Sequence, residues 1–554
     1  MRGRDVLMKS LVAHGVEHLF GNPGTTESPL LDSLADYPSI GYVTHLHEGV
    51  AVGAASYYAR AARRTAVVSL HVAPGLGNGI GMIFNALKAN APMVVTAGQQ
   101  DTRMLRREPV LSHDLAAMAA PVTKWSTEVR NADEMDEVMR RAFKLAADPP
   151  CGPVFVSLPI DVMEQHTDNH PQPPANLYRL AAPDPEGIVQ AAALLRSARS
   201  PSIVVGDEVA RSRQVAALVR LAERIGAPVW FEGIRGHASF PSAHPQARTS
   251  LPFDAQGIAR TLGSADLVLL VGGPFFEEVW FSAGSPFPPG AQVVQLESSA
   301  RPLAYNHAIA LGVVGDLGTS LAALDERLAA QADANWAAAV SERCVQLAAE
   351  KQASLQAYRN RLQKAWDRHP ISMPRVMAEI ARATPAGALI VEESITASVD
   401  FAAAFDFDGS DRLFGARGGG IGQGVAGAIG VSVAQPGRPV LCVSGDGSAM
   451  YSIQALWTAA RYRLPIVFAI LVNREYRVLK HNLDIYRQRF DAVSDKPYPE
   501  MDLSGPVMGF VELAAGMGVA GVRVDKADEL ADALAAAFAA GEPRLVEIAI
   551  EGKR

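Results

Sequence analysis

Val443-Ser444-Gly445-Asp446-Gly447-Ser448 closes an apolar run that begins at Val440, and a second apolar run, Ile466–Val472, ends at Asn473, twenty-seven residues beyond Asp446. Runs this short and this uniformly apolar read as strands covered on both faces, the habit of parallel sheets. A helix expected to start near Ser452 follows the first run, so the turn lies between a strand end and a helix. Glycines there let the backbone bend sharply and approach a phosphate, and free amides at a helix start favour an anion. Asp446 adds a hard oxygen of the kind Mg²⁺ takes. If the two runs are neighbouring parallel strands, Asp446 and the Asn473 amide oxygen lie beside one metal ion. Taken singly, Gly-Asp-Gly is also an ordinary turn, and Asn473 an ordinary helix cap.

Outward from this pair the same alternation of short β-rich runs with Ala/Leu-rich stretches covers the chain, the pattern of βαβ units. Strands are expected at Thr65–His71, Met93–Ala97 and Val154–Leu158, then at Ser202–Val205, Val229–Phe231, Leu267–Val271 and Val293–Leu296, and finally at Leu389–Glu392 and Leu545–Ile550. Pro171, Pro173, Pro174, Pro183 and Pro185 crowd a polar stretch after Glu164 and mark a linker, since clustered prolines continue neither helix nor sheet. A charged, alanine-rich helical stretch, Ser320 to Arg368, leads to the last block. The expectation is an α/β protein of three doubly wound parallel-sheet domains, at 1–165, 185–335 and 368–554. The first and third blocks show no obvious sequence repeat.

Composition sets the outer bounds. In 554 residues, 51 Lys+Arg against 58 Asp+Glu leave a net charge of −7, with no basic excess to attract nucleic acid or an anionic membrane. Three cysteines, Cys151, Cys344 and Cys442, support neither a disulfide framework nor zinc spacing, and a reducing cytoplasm fits them. No signal-peptide core opens the chain, and Leu464–Val472 is about half a membrane span. The expected partners are small molecules, with no nucleic acid and no membrane.

Gly445-Asp446-Gly447 followed by Asn473 resembles the cofactor motif of thiamine-diphosphate-dependent enzymes of the pyruvate decarboxylase and acetolactate synthase type; where that family usually has a first asparagine, this chain has Val472. The resemblance extends to Phe20-Gly21-Asn22-Pro23-Gly24-Thr25-Thr26-Glu27, His47-Glu48 and Leu70-His71-Val72-Ala73-Pro74-Gly75-Leu76-Gly77-Asn78. It is strongest toward the benzoylformate decarboxylase branch. The resemblance implies a pyrimidine-binding domain, a Rossmann-like middle domain and a diphosphate-binding domain. It implies thiamine diphosphate and Mg²⁺ as cofactors, the metal held by Asp446, Asn473 and the main-chain oxygen of Glu475. Ser448, with Ser394 and Ile395 from an earlier loop, would complete the diphosphate site beside Gly445, Gly447 and Tyr476. In Arg417-Gly418-Gly419-Gly420-Ile421-Gly422, the Gly419 carbonyl would accept from the 4′-amino group and Ile421 would wedge under the cofactor. Glu48 would share a proton with N1′ of the pyrimidine, acting as a positioned general acid–base.

On the substrate side the resemblance assigns His71 as proton donor and orienter and Thr25 as the hydroxyl facing the substrate carboxylate. The implied reaction is decarboxylation of a 2-oxo acid to an aldehyde, with carboligation or aldehyde cleavage as the alternative. The implied assembly is a homodimer or homotetramer with sites at the subunit interface. One departure bears on the chemistry: Val279 stands where the branch has a second histidine. Arg474, Arg477, Lys480, His481, Arg487 and Arg489 cluster around Tyr476, Leu479 and Tyr486. They read either as a basic lid for an anionic substrate tail or coenzyme A phosphate, or as a solvated amphipathic helix.

Overall fold

The computed structural model describes residues 1–177, 180–409, 411–492 and 494–552. Among them eighteen strands form three six-stranded sheets. The first holds β1 (His18–Gly21), β2 (Gly41–Thr44), β3 (Ala66–Leu70), β4 (Met93–Gln99), β5 (Ser126–Glu128) and β6 (Pro153–Pro159) in the order β2-β1-β3-β4-β6-β5. The second holds β7 (Pro201–Val205), β8 (Val229–Phe231), β9 (Ala247–Ser250), β10 (Leu267–Val271), β11 (Gln292–Glu297) and β12 (Leu311–Val314) in the order β12-β11-β10-β7-β8-β9. The third holds β13 (Leu389–Glu393), β14 (Leu413–Gly415), β15 (Val440–Gly445), β16 (Ile466–Val472), β17 (Ala520–Val524) and β18 (Arg544–Ala549) in the order β14-β13-β15-β16-β18-β17.

The strands run parallel, and every residue of β3, β4, β6, β7, β10 and β16 is buried, as two-sided helical cover requires. The first and third sheets share one strand order, although their sequences show no repeat. The second has the order of the dinucleotide-binding fold.

The chain divides into two compact units, one of Met1–Asn176 with Ala365–Phe405 and Phe414–Arg554, the other of Leu177–Lys364 with Asp406–Leu413. Within the first unit, helices Glu48–Ala62 and Gln423–Ala434 pack against each other and join the first and third sheets in one core. Small residues allow the close approach. A Cβ on Gly430 would stand 1.8 Å from the Ala54 carbonyl oxygen, and one on Gly427 would stand 2.6 Å from the Tyr57 ring.

Two local expectations change. The helix after the Gly-Asp-Gly turn does not begin near Ser452: a short one, Asp446–Ala449, starts on Asp446 itself, and the next begins at Ala455. The Asp446 carboxylate accepts from the Gly447 N–H at 2.8 Å and so caps its own turn. The stretch Ser320–Arg368 is two helices, Leu317–Ala330 and Ala334–Ala365.

Candidate active site

β15 and β16 are neighbours with Gly445 opposite Leu471, so Asp446 and Asn473 leave adjacent strand ends together. The Asp446 carboxylate is buried and accepts from Gly447 N and, at 2.7 Å, from Arg474 N, while the Asn473 side-chain oxygen accepts from Glu475 N at 3.0 Å. Among the described residues no lysine or arginine pairs with Asp446, and burial pushes its carboxyl above the usual range. A buried carboxylate without a cationic partner suits a cation, and one carboxylate, one amide and main-chain oxygens form a hard donor set that fits Mg²⁺. Among the described residues no cluster of three His, Cys, Asp or Glu side chains offers a different metal site.

The glycines of the turn have distinct reasons. Nothing lies within 4 Å of a Cβ built on Gly445, which leaves that face open to a ligand. A Cβ on Gly447 would meet the Tyr476 ring at 2.5 Å, so Tyr476 lies directly over the turn. Ser448 is buried within the turn; Ser394, after β13, donates to the Glu392 carboxylate. Ile395 has φ +44°, a strained conformation for a β-branched residue, and Val72 after His71 has φ +42°. Gly419, at φ +81°, has open space around it, and Ile421 is half-buried in the same loop.

A second group of side chains sits at the carboxyl ends of the first sheet. Glu48 opens its helix, nearly buried, and accepts from Asn78 Nδ2 at 3.0 Å and Asn22 Nδ2 at 3.4 Å. The N-cap residue His47 accepts from Gly49 N at 3.0 Å and seats the helix start. His71 caps the helix Val72–Lys88 and its Nδ1 lies 2.9 Å from Glu27 Oε2. Glu27 also accepts from the Thr26 hydroxyl at 2.8 Å and from Gly98 N at 2.9 Å, yet burial still outweighs these bonds and raises its carboxyl.

Sequence reasoning missed Glu27 as the partner of His71; its place one turn after Gly-Asn-Pro-Gly, ending an otherwise uncharged run, was the available signal. Thr26, not Thr25, turns its hydroxyl toward this pair, 3.4 Å from His71 Nδ1, while Thr25 is exposed. Above it, Leu111 O accepts from Ala73 N, and Val110 and Leu111 are exposed apolar side chains beside the His71 turn.

The structure brings Glu48, His71 and Glu27 together, and separately Asp446, Asn473, Glu475 and Tyr476. No described hydrogen bond or ion pair joins the two groups. The basic cluster is not a free lid. Arg477 Nε donates to Glu475 Oε1 at 2.9 Å, Lys480 pairs with Glu475 Oε2, and a further Arg477 N–H donates to Glu551 O. Glu475 is buried, and these cations hold its carboxyl below the usual range. Arg487 donates to Lys496 O at 2.8 Å and lies over the Tyr498 ring. A solvated helix is therefore also too simple a description.

In the second unit, Gly206 N donates to Val271 O and Glu208 N to Gly272 O, closing the crevice between β7 and β10. Glu297 ends β11 there, its carboxyl pushed up to about 7 by burial. Val279, on the loop after β10, is exposed.

Models of the thiamine pyrophosphate enzyme family match the chain three times: the N-terminal TPP binding domain at residues 1–119, the central domain at 188–324 and the C-terminal TPP binding domain at 395–548. Benzoylformate decarboxylase of Pseudomonas aeruginosa is 33% identical over 97% of this chain and 96% of that protein. The acetolactate synthase isozyme 3 large subunit of Escherichia coli is 27% identical over 97% and 92%. The solved structure of the thiamine diphosphate-dependent 4-hydroxybenzoylformate decarboxylase of Rhodococcus jostii RHA1 superposes with a TM-score of 0.86 at 29% identity, covering 100% of both chains. With three domain models in order along its length and a full-length relative above 30% identity, this chain belongs to the thiamine pyrophosphate-dependent enzyme family.

Proposed function

We propose that the protein decarboxylates a 2-oxo acid to an aldehyde, using thiamine diphosphate and Mg²⁺. The observation that carries this reading is one corner of the first sheet that holds two carboxylates in different surroundings, Glu27 buried against the half-buried His71 imidazole and Glu48 held by the Asn78 amide. When bound, thiamine diphosphate supplies a nucleophilic carbon and an electron sink. Asp446, Asn473 and the main chain at Glu475 would hold Mg²⁺, and Gly445, Gly447, Ser448, Ser394, Ile395 and Tyr476 would surround the diphosphate. Glu48, fixed by Asn78, would hold a proton at N1′ of the pyrimidine. His71, oriented by Glu27, would deliver the proton that releases the aldehyde, with Thr25 orienting the carboxylate that leaves.

No described hydrogen bond or ion pair joins the two groups of residues within one chain, and a second copy that completes each site would make the protein a homodimer or homotetramer. The domain limits 1–165, 185–335 and 368–554 and a cytoplasmic location belong to the same proposal. Val279 favours a second reading, since a valine relays no proton: the bound fragment would then meet another carbonyl, making the enzyme a carboligase.

One assay separates the two. Supplied with thiamine diphosphate and Mg²⁺, the enzyme is offered aromatic, branched and acidic 2-oxo acids, and carbon dioxide and aldehyde are followed with and without an acceptor aldehyde. Aldehyde formed without acceptor supports the decarboxylase. Carbon dioxide released only with acceptor transfers the assignment to the carboligase, and none from any acid refutes both.

A further inference from the structure

His71, Gly75, Asn78, Met82 and Asn85 are spaced by four, three, four and three residues, so they share one face along the helix Val72–Lys88. At its start this face carries the Glu48 and His71 group. The Asn78 amide donates to Glu48, and a Cβ on Gly75 would stand 3.1 Å from Glu48 Oε1. At its far end it carries Asn85, which is buried and reaches the loop after β14. Asn85 Nδ2 donates to Gly420 O at 3.1 Å and its Oδ1 accepts from Gly420 N at 3.2 Å, the two-point pairing of one amide with another.

This pairing has a directional consequence. The Gly420 N–H and the Gly419 carbonyl belong to one trans peptide, so they are coplanar and point opposite ways. With the N–H fixed on Asn85, the Gly419 carbonyl points away from it. Gln423 Nε2 also donates to Gly420 O, at 2.6 Å, and the Glu393 carboxylate accepts from Gln423 N and Gly424 N, so the loop is braced from its other side. The glycines around the clamp make room for it. A Cβ on Gly418 or Gly420 would lie 2.7 Å from the Asn85 amide, and Gly420, unlike Gly418 and Gly419, has no left-handed φ that would call for glycine.

We infer that Asn85 is the positioning residue for the Gly419 carbonyl, aiming it at the 4′-amino group of bound thiamine diphosphate; this rests on the cofactor reading above. The same helix carries the residue that fixes Glu48, so each chain ties one pyrimidine-facing element to the other through a single rigid rod.

The test compares the full-length protein with Asn85→Ala, Gly420→Ala and the double variant. Fluorescence titrations at fixed Mg²⁺ measure affinity for thiamine diphosphate and, separately, for inorganic pyrophosphate, which engages only the Asp446 turn. Asn85→Ala is expected to weaken thiamine diphosphate by about tenfold and leave pyrophosphate unchanged. Gly420→Ala approaches the same contact from the other side. It is expected to weaken thiamine diphosphate in the wild-type background and to add little once Asn85 is alanine. Unchanged thiamine diphosphate binding in Asn85→Ala, an equal loss of pyrophosphate, or additive effects of the two substitutions would each overturn the inference. A wild-type protein that binds pyrophosphate but not thiamine diphosphate removes the cofactor reading itself, and this inference with it.

Discussion

His45 follows β2, three residues before Glu48, and is fully buried. Thr458 Oγ1 donates to Thr44 O at 3.1 Å, so it faces His45 Nδ1, 3.4 Å away, as an acceptor. The imidazole proton therefore sits on Nδ1. His45 Nε2 is bare and buried, with no partner among the described residues, and the ring stacks on Phe20. No charged side chain contributes; burial alone lowers the pKa from 6.5 to about 3. A depressed base takes up its proton in the unfolded chain first, so the stability it confers is complete above pH 6.5 and is lost as pH falls toward 3. At about 1.4 kcal/mol per unit, the loss is about 2 kcal/mol by pH 5.0 and about 5 kcal/mol in full.

Native-state hydrogen exchange of the β2 amides reads this as an opening free energy. Between pH 7.5 and 5.0 the wild-type protein is expected to lose about 2 kcal/mol more than His45→Leu, equivalent to about thirtyfold more open protein. Parallel pH dependences in the two proteins would refute the reasoning, because every other titrating group is shared.

Gly430→Ala forces a Cβ against the Ala54 carbonyl; overpacking between two backbones is expected to cost about 3 kcal/mol or more of thermal stability. Gly437→Ala meets open space at φ +77° and should cost only about 1–2 kcal/mol. Lys480→Ala leaves Glu475 with Arg477 alone, and urea unfolding should show a loss of about 1–3 kcal/mol. The preference between neutral and acidic 2-oxo acids should not move, because these cations already serve Glu475; a lost preference for acidic substrates would restore the lid. Glu48→Gln should bind thiamine diphosphate within a few-fold of wild type, while carbon dioxide release falls by about 10²–10⁴. Undiminished turnover would remove Glu48 from the chemistry.

What the sequence made legible follows from how strongly each position is constrained. Strands buried on both faces are mostly apolar, so β10 and β16 fall where the apolar runs place them. The placement of Asp446 and Asn473 side by side was readable because each stands where an apolar run stops and the two runs are neighbouring parallel strands. The Glu27–His71 pair was not, since a buried carboxylate looks like any other glutamate until its partner, forty-four residues away, is brought beside it. Net sequence charge also misdescribed the segment after Asn473: Arg477 and Lys480 face inward onto a glutamate between them and Asn473 in the chain, a pairing that charge counting treats as a surface feature. Asn85 shows the opposite case, a residue whose heptad spacing from His71 and Asn78 was in the sequence but meaningless without the loop it grips.

The least legible feature is the relation between the two groups of site residues. With strand orders superposed, β1, β2 and β3 correspond to β13, β14 and β15. The segments leaving the first three are Asn22–Glu27, the turn to Glu48, and His71 with its strained Val72. Those leaving the second three are Ser394 with its strained Ile395, the Gly419–Ile421 loop, and Gly445–Ser448. Each group therefore occupies the same corner of the same topology, at the carboxyl ends of parallel strands where such sheets present their loops to ligands. One sheet bends those loops with glycines and oxygen donors suited to a metal and a diphosphate, the other with carboxylates and an imidazole suited to moving protons. The two sheets can share a fold without sharing a sequence because topology is set by which runs are apolar, whereas the corner chemistry is set by a few residues at each strand end. Those few residues are where substitution should alter the reaction, and the close-packed helices Glu48–Ala62 and Gln423–Ala434 are where it should alter whether the two corners are held at all.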